Sequence, residues 1–390
     1  MRVLLLNWYA DRSGGADAYA EMLAIELARR GHEVHFVGYG ASETAAAAAT
    51  VHTLTRNAFH WRLLAPLQWR DTERQVARLD LPTPDAIVGS PLFAYRAAAR
   101  RFPGVPGVYL PHARITPVEV AGTLPGRPGG LPHLLGVATY RRLERWALRH
   151  SRCTVRFTPG NVKLMADYYG AGPRVAFEVI PPPVEVPPTA APVPRGTGTG
   201  SGPLRLLSLG RLVPSKNVGF LLGVLAALPA GLHWTLDVVG DGPERVALEE
   251  FARGRLAGRV AFHGHRDDPA TFYRAADLLV NPSRLESACL VTVEAMAHGL
   301  PNLVIRDDGR DYLNSHHELI ADGLDGLIAG GEVDFAARLG RAIRDPASLT
   351  VLGAAARARA IALHDRVAVF DHWDRLLRRV AGPAPASGLA

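Results

Sequence analysis

The chain has 390 residues, 48% hydrophobic and 21% charged. That length favours two globular domains, each able to bury its own core, and the balance excludes an intrinsically disordered chain. The net charge of +7 points to anionic partners such as nucleotide phosphates or an acidic membrane surface, while the lack of a basic-and-aromatic binding module argues against nucleic acid.

The opening run, Met1-Arg-Val-Leu-Leu-Leu-Asn7, is too short for a secretory signal, and no apolar run approaches the ~18 residues of a membrane span. A cytoplasmic protein is expected. Cys153 and Cys289 make neither a disulfide framework nor a metal knot and read as small buried thiols in a reducing compartment.

Residues 2–7 read as a buried strand. A loop with Gly14-Gly15 follows, then a helix from about Asp17 to Arg30, stopped by Gly31-His32-Glu33, and a strand over Val34–Gly38. This β-loop-α-β unit opens a doubly wound sheet. The stretch 56–79 mixes aromatic residues with arginine. It reads as an amphipathic helix packed on its own domain, and it also suits an acceptor border or an anionic membrane face. Short parallel strands are expected over 85–89 and 105–110, and an arginine-rich helix over 140–150, where Arg141, Arg142, Arg145 and Arg149 read as a solvated face.

The composition then changes. Residues 181–203, with Pro-Pro-Pro-Val-Glu-Val-Pro-Pro and Gly-Thr-Gly-Thr-Gly-Ser-Gly, cannot bury a core and read as a linker. A second α/β series follows, with strands near 204–209, 234–239, 259–263, 278–281 and 302–305. Alternation of this kind implies a parallel sheet in each half. The stretch 347–380 is helical and 383–390 a frayed end, so the expected organisation is 1–180, a linker over 181–203, 204–370, and a terminal helix end and tail over 371–390.

Four motifs fall in the second half. Gly210-Arg-Leu-Val-Pro-Ser-Lys216-Asn217 places two cations in the loop after a strand, where ligands of open α/β sheets bind. Only two of the 44 basic residues are lysines, Lys163 and Lys216, so Lys216 puts a rare point charge beside the planar fork of Arg211. Val239-Gly-Asp-Gly-Pro243 and Asn281-Pro-Ser283 close further strands. Glu286 and Glu294 stand eight residues apart in Glu286-Ser-Ala-Cys-Leu-Val-Thr-Val-Glu294. On a helix starting near Ala288–Leu290 they would share a face at up to about 12 Å, and the first N–H groups would form an anion site.

This combination, in this order, resembles the donor half of glycosyltransferase family 4, the retaining nucleotide-sugar glycosyltransferases. The resemblance is strong over 204–330 and weaker before it. It implies the GT-B fold, two doubly wound Rossmann-like parallel-sheet domains facing across a cleft, the first binding acceptor and the second the nucleotide sugar. It implies a retaining enzyme that moves a sugar from a nucleoside diphosphate, UDP or GDP, to a hydroxyl of a small molecule, glycolipid or saccharide, in natural-product or cell-envelope glycan synthesis.

Residue by residue, the resemblance implies that Arg211 and Lys216 stabilise the departing diphosphate and Glu286 faces the sugar. Glu294 would accept from ribose hydroxyls. His112, after Val-Tyr-Leu-Pro, matches a histidine near the sugar hydroxyls, and Gly15 lies in a loop that closes on the phosphate. Gly264-His265-Arg266 falls where base contacts are made, and Ala288, Cys289 and Leu290 offer backbone N–H groups. The usual aromatic-glycine pair after the first glutamate is here Ala288-Cys289. No obligatory metal or other cofactor is implied, and His316-His317 lacks the i, i+4 spacing of helical ligands.

Three rivals remain. A non-hydrolysing nucleotide-sugar epimerase can share the fold without needing the glutamate pair. A dinucleotide-dependent dehydrogenase needs a third glycine that Gly240-Asp-Gly242-Pro-Glu-Arg lacks. The Ala288-Cys289 departure also fits a catalytically silent nucleotide-sugar-binding regulatory subunit.

Overall fold

A computed structural model describes residues 1–7, 15–55, 65–90, 92–117, 130–170, 175–188, 202–256 and 258–382. The chain forms two compact units. One comprises Met1–Ile180 with Val367–Ala390, the other Pro181–Arg366.

The first unit holds a seven-stranded sheet of Arg2–Leu6 (β1), Glu33–Gly38 (β2), Thr50–Thr53 (β3), Ala86–Gly89 (β4), Gly107–Tyr109 (β5), Cys153–Arg156 (β6) and Phe177–Val179 (β7). Its spatial order is β3-β2-β1-β4-β5-β6-β7, with every pairing parallel. Around it run Gly15–Arg29 (α1), Glu43–Ala48 (α2), Ala65–Arg78 (α3), Leu92–Arg101 (α4), Leu131–His150 (α5) and Pro159–Tyr169 (α6). Parallel strands need crossovers, and the crossover helices cover both faces. That explains why Val3, Leu4, Leu5 and Leu6 are all buried instead of alternating in and out.

The second unit repeats the plan with six strands: Leu204–Leu209 (β8), Trp234–Val239 (β9), Val260–Gly264 (β10), Leu278–Asn281 (β11), Asn302–Ile305 (β12) and Leu327–Ala329 (β13). Their order is β10-β9-β8-β11-β12-β13, again all parallel. The helices are Val218–Ala227 (α7), Arg245–Arg255 (α8), Ala270–Ala275 (α9), Leu290–Ala297 (α10), His316–Leu319 (α11), Glu332–Arg344 (α12) and Ala347–His364 (α13). On α7 the buried side chains Val218, Leu221, Leu222 and Leu225 recur at helical spacing and pack on the core with Trp234, Leu236 and Phe335. In both sheets the strand order reverses beside the first strand of the unit, at β1/β4 and at β8/β11. In open sheets this switch point leaves a crevice beyond the strands' C-terminal ends.

Two boundaries differ from the sequence expectation. The last helix, Arg366–Ala381 (α14), belongs to the first unit from Val367 onward, so 367–370, expected in the second domain, falls in the first. Its buried stripe of Val369, Phe370, Trp373, Leu376, Leu377 and Val380 is centred on Trp373, whose indole donates to Tyr19 Oη at 2.8 Å. Arg30 and Arg379 add ion pairs to Asp371 (2.9 Å) and Glu178 (2.6 Å). The segment 181–188 is also no free linker. Val184 is buried and exchanges backbone hydrogen bonds with His364 and Arg366, and Pro182 O meets His364 Nδ1 at 2.9 Å. Of the rest of the expected linker, 189–201 lies outside the described residues, as do 56–64 of the stretch expected over 56–79.

Candidate functional site

At the β8/β11 switch point a recess is lined by Ser208, Leu209, Gly210, Arg211, Lys216, Val218, Asn281 and Ser283. Its backbone depends on glycine. Gly240, at φ 138°, lies so close to the end of β8 that a Cβ there would meet Gly210 O at 1.9 Å. The Val239-Gly-Asp-Gly motif therefore lets the β9 loop lie directly on the loop that carries the cations.

That loop turns through the short 3₁₀ segment Pro214–Lys216 and ends at Asn217, in the left-handed conformation at φ 58°. Asparagine tolerates this geometry, and its amide donates to Tyr312 Oη at 3.0 Å. Lys216 is thereby aimed at Glu286, and Nζ bonds Oε1. The side chains are only 23% and 13% exposed. Burial alone would raise the Glu286 carboxyl, but Lys216, with His316 and a Ser283 hydrogen bond adding to it, holds the group below the usual range. Arg211 is exposed and has no ion-pair partner among the described residues. Its guanidinium stands ready for an external anion.

Glu286 does not belong to a helix. It is held by the β-bridge Leu285–Leu313 and by its own N–H to Leu313 O at 3.2 Å. Helix α10 begins at Leu290, within the expected 288–290, but Glu286 lies four residues before it, so the shared helical face expected for Glu286 and Glu294 does not exist. The N-cap is Cys289, left-handed at φ 49° and ψ 43°, with no side-chain cap bond to the first turn. The conformation explains why a glycine suits this place: an L-residue there carries strain. Ala288 and Leu290 flank it, partly buried.

Glu294 lies within α10 and accepts from Tyr273 Oη at 2.6 Å. Burial raises its carboxyl above the ordinary value, and the Tyr273 bond opposes that shift. Gly264, left-handed at φ 68°, receives Gly240 N at 2.8 Å and ties β10 to β9. His265 and Arg266 follow on an exposed loop, with His265 Nε2 at 3.4 Å from Asp267.

Sequence reasoning left several groups of the site without a role. Tyr273 carried no motif. Asn281-Pro-Ser283 signalled only a turn, yet Ser283 Oγ donates to Asn281 Oδ1 at 2.5 Å and both line the recess. His316 is fully buried beside the pair, with Nδ1 3.4 Å from Thr292 Oγ1. Burial, with Lys216 adding to it, pushes its imidazole down to about 4, so it is neutral at ordinary pH. His317 is exposed, and among the described residues no group of three His, Cys, Asp or Glu converges as a metal site.

His112 and Gly15 lie in the first unit. Gly15 is the exposed first residue of α1, and 8–14 before it lie outside the described residues. His112 follows β5 at that sheet's C-terminal edge. Arg156, fully buried on β6, fixes the loop: it donates to Pro111 O (2.9 Å), Ala113 O (2.8 Å) and Arg114 O (3.1 Å). From the other side Glu144 accepts from Thr116 N (3.1 Å), Tyr109 Oη (2.8 Å) and Tyr169 Oη (2.6 Å). The His112 ring meets Tyr19 edge-on at 5.6 Å, and Nε2 is buried without a hydrogen-bond partner among the described residues. Burial and the Arg156 charge lower it to about 3. It is a neutral imidazole with one ring nitrogen in reserve.

Comparison with known proteins identifies the family. Residues 13–186 match the family model described as Glycosyltransferase Family 4, and residues 203–345 that of Glycosyl transferases group 1. The chain belongs to glycosyltransferase family 4. Among relatives, it is 28% identical over 244 residues to the lipopolysaccharide core biosynthesis glycosyltransferase LpsE of Rhizobium meliloti, covering 59% of this chain and 65% of the relative. It is 32% identical over 172 residues to the 2-deoxystreptamine glucosyltransferase of Streptomyces kanamyceticus, covering 41% of this chain and 44% of the relative. The match thus spans less than two thirds of either relative. Among solved structures, the family 4 chain is similar to Anabaena HepE in complex with UDP and glucose, at TM-score 0.73 and 19% identity over 97% of this chain and 100% of that one. That likeness shows the fold, GT-B.

Proposed function

We propose that this family 4 protein is a retaining glycosyltransferase. It takes a sugar from a nucleoside diphosphate sugar, UDP- or GDP-linked, and transfers it to a hydroxyl of a saccharide, glycolipid or small-molecule acceptor. The observation that carries the reading is the recess at the β8/β11 switch point, where Arg211 lies open beside the partly buried Lys216–Glu286 pair.

Loss of a nucleoside diphosphate builds negative charge on the β-phosphate, and preorganised cations and N–H groups aimed there lower the barrier. Arg211 supplies a fork, Lys216 a point charge held by Glu286, and the first turn of α10 its N–H groups. Glu294 accepts from the ribose. The first unit, which carries His112, selects the acceptor. Retention follows from attack on the face that the leaving phosphate occupies, the phosphate taking the acceptor's proton. Relatives named for a lipopolysaccharide core and for 2-deoxystreptamine support saccharide or aminocyclitol acceptors.

The test is release of nucleoside diphosphate from a panel of UDP- and GDP-sugars, with and without acceptors. Arg211→Ala should retain the wild-type thermal transition and lose about 10²–10³ in turnover. No turnover with any sugar nucleotide, together with tight binding of one, would favour a silent binding subunit.

A further inference from the structure

Asn217 stands at the N-cap of α7, where an asparagine side chain ordinarily bonds the first turn of its helix. Here it makes no cap bond. Its amide turns away, donating to Tyr312 Oη at 3.0 Å and more distantly to Pro282 O at 3.4 Å. Tyr312, only 4% exposed, donates in turn to Oε1 of Glu332, the first residue of α12, at 2.9 Å. The ends of this chain fix its direction, because an amide nitrogen only donates and a carboxylate only accepts. Glu332 therefore takes the hydroxyl proton and leaves the oxygen's lone pairs facing Asn217.

The loop that carries Tyr312 reaches both members of the Lys216–Glu286 pair. Asp308 Oδ1 closes the loop by accepting from the N–H groups of Arg310, Asp311 and Tyr312, each at 2.9 Å. Leu313 then accepts from Glu286 N at 3.2 Å and donates to Arg284 O at 2.6 Å, while Arg284 N donates to Ser215 O at 2.8 Å. Glu286 is thus held by backbone bonds, and the lysine side is met through Ser215 and through the Tyr312 hydroxyl. Beside Tyr312 and Glu332 lies a cleft of about 380 Å³, lined also by Arg284, Asp308 and Gly331. On that flank hydrogen bonds, not close packing, set where the loop lies.

We propose that Tyr312 is a positioning residue for Lys216: its hydroxyl, oriented by Glu332, holds Asn217 in its left-handed turn and so keeps the ammonium on Glu286. Its effect on rate rests on the transferase reading above; its effect on the pair rests on the geometry alone. A ring that only packs has no need of the hydroxyl.

The experiment compares Tyr312→Phe, Asn217→Gly and the double variant. Glycine takes the left-handed conformation but carries no amide. The Glu286 carboxyl is titrated by carbon-13 NMR, with Glu286→Gln assigning the signal, and diphosphate release from sugar nucleotides is measured on the same proteins. Tyr312→Phe should keep a cooperative thermal transition and raise the Glu286 midpoint as Lys216 loosens. It should lower kcat at least about tenfold with donor KM changed less than about threefold, since a displaced point charge is felt mainly by the departing phosphate. Asn217→Gly should do the same, and the double variant should be no worse than the stronger single one, because both cut one chain. Should Tyr312→Phe fold poorly, Asn217→Gly alone should still raise the midpoint. An unchanged Glu286 midpoint in the well-folded variants, or losses that add in the double variant, overturns the proposal. Wild-type protein that releases no diphosphate from any sugar nucleotide refutes the transferase reading instead, and the Glu286 titration still decides the role of Tyr312.

Discussion

Lys216→Met removes the ammonium and leaves the Glu286 carboxylate without its counter-charge in a mostly buried position, 13% exposed. Breaking a buried pair costs about 3–5 kcal/mol. Partial exposure and the carboxyl's freedom to protonate reduce this, giving an expected loss of about 2–3 kcal/mol near pH 7.5. Lys216→Met/Glu286→Gln restores a neutral pair and should recover about 1–2 kcal/mol of that. Acid dependence gives a second reading of the same perturbation. In the wild type Glu286 is held below its ordinary value, so its contribution is present above the unfolded pKa of about 4.3 and is lost as pH falls through the folded value. Without Lys216, burial dominates and the carboxyl rises. The folded state then binds the proton more tightly, and Lys216→Met should gain stability relative to wild type between pH 8 and 5. Urea unfolding at several pH values, with diphosphate release measured in parallel, separates the two roles: the double variant should be stable and still inactive. A Lys216→Met protein with wild-type stability at every pH would refute the account of this pair.

Cys289→Gly relieves left-handed strain of about 1–2 kcal/mol, offset by lost burial of the thiol and by about 0.5–1 kcal/mol of extra unfolded-state freedom. It should therefore stay near wild type while Cys289→Ala falls about 1 kcal/mol below it; an alanine variant as stable as the glycine one contradicts the strain. Tyr273→Phe removes the bond that favours ionised Glu294, so its carboxyl should rise further and nucleotide affinity, by calorimetry, should fall more at pH 6 than at pH 8. A uniform loss would leave Tyr273 a packing residue. Trp373→Ala should cost about 3–5 kcal/mol by chemical unfolding, because α14 belongs to the first unit; a loss below about 1 kcal/mol would detach it.

Strand positions in the second unit were legible because strands of a covered parallel sheet are short, mostly apolar runs bounded by glycine, proline or asparagine on at least one side. Leu204–Leu209, Trp234–Val239, Leu278–Asn281 and Asn302–Ile305 fall where those runs end. Thr50–Thr53, Cys153–Arg156, Phe177–Val179 and Leu327–Ala329 were missed, being strands of three or four residues, too short for a period, and all but Cys153–Arg156 at a sheet edge. The membership of α14 was illegible because its amphipathic stripe says that it packs, not on what; only Tyr19, 354 residues away, answers that. At the site, Arg211 and Lys216 stood out as cations after a strand. The glutamate spacing misled, since it assumed a helix that starts four residues later than Glu286. Tyr273, His316 and Arg156 act through burial and long-range partners, which no local pattern records.

The central claim is that the recess beside Arg211 and Lys216 holds a nucleoside diphosphate. Calorimetric titration of wild type and Arg211→Ala with nucleoside di- and monophosphates tests it most directly. The account predicts that the diphosphate binds more tightly than the monophosphate in the wild type, and that Arg211→Ala weakens the diphosphate by about 10–100-fold while changing the monophosphate little. Equal affinity for the two nucleotides, with both unaltered by Arg211→Ala, would contradict it.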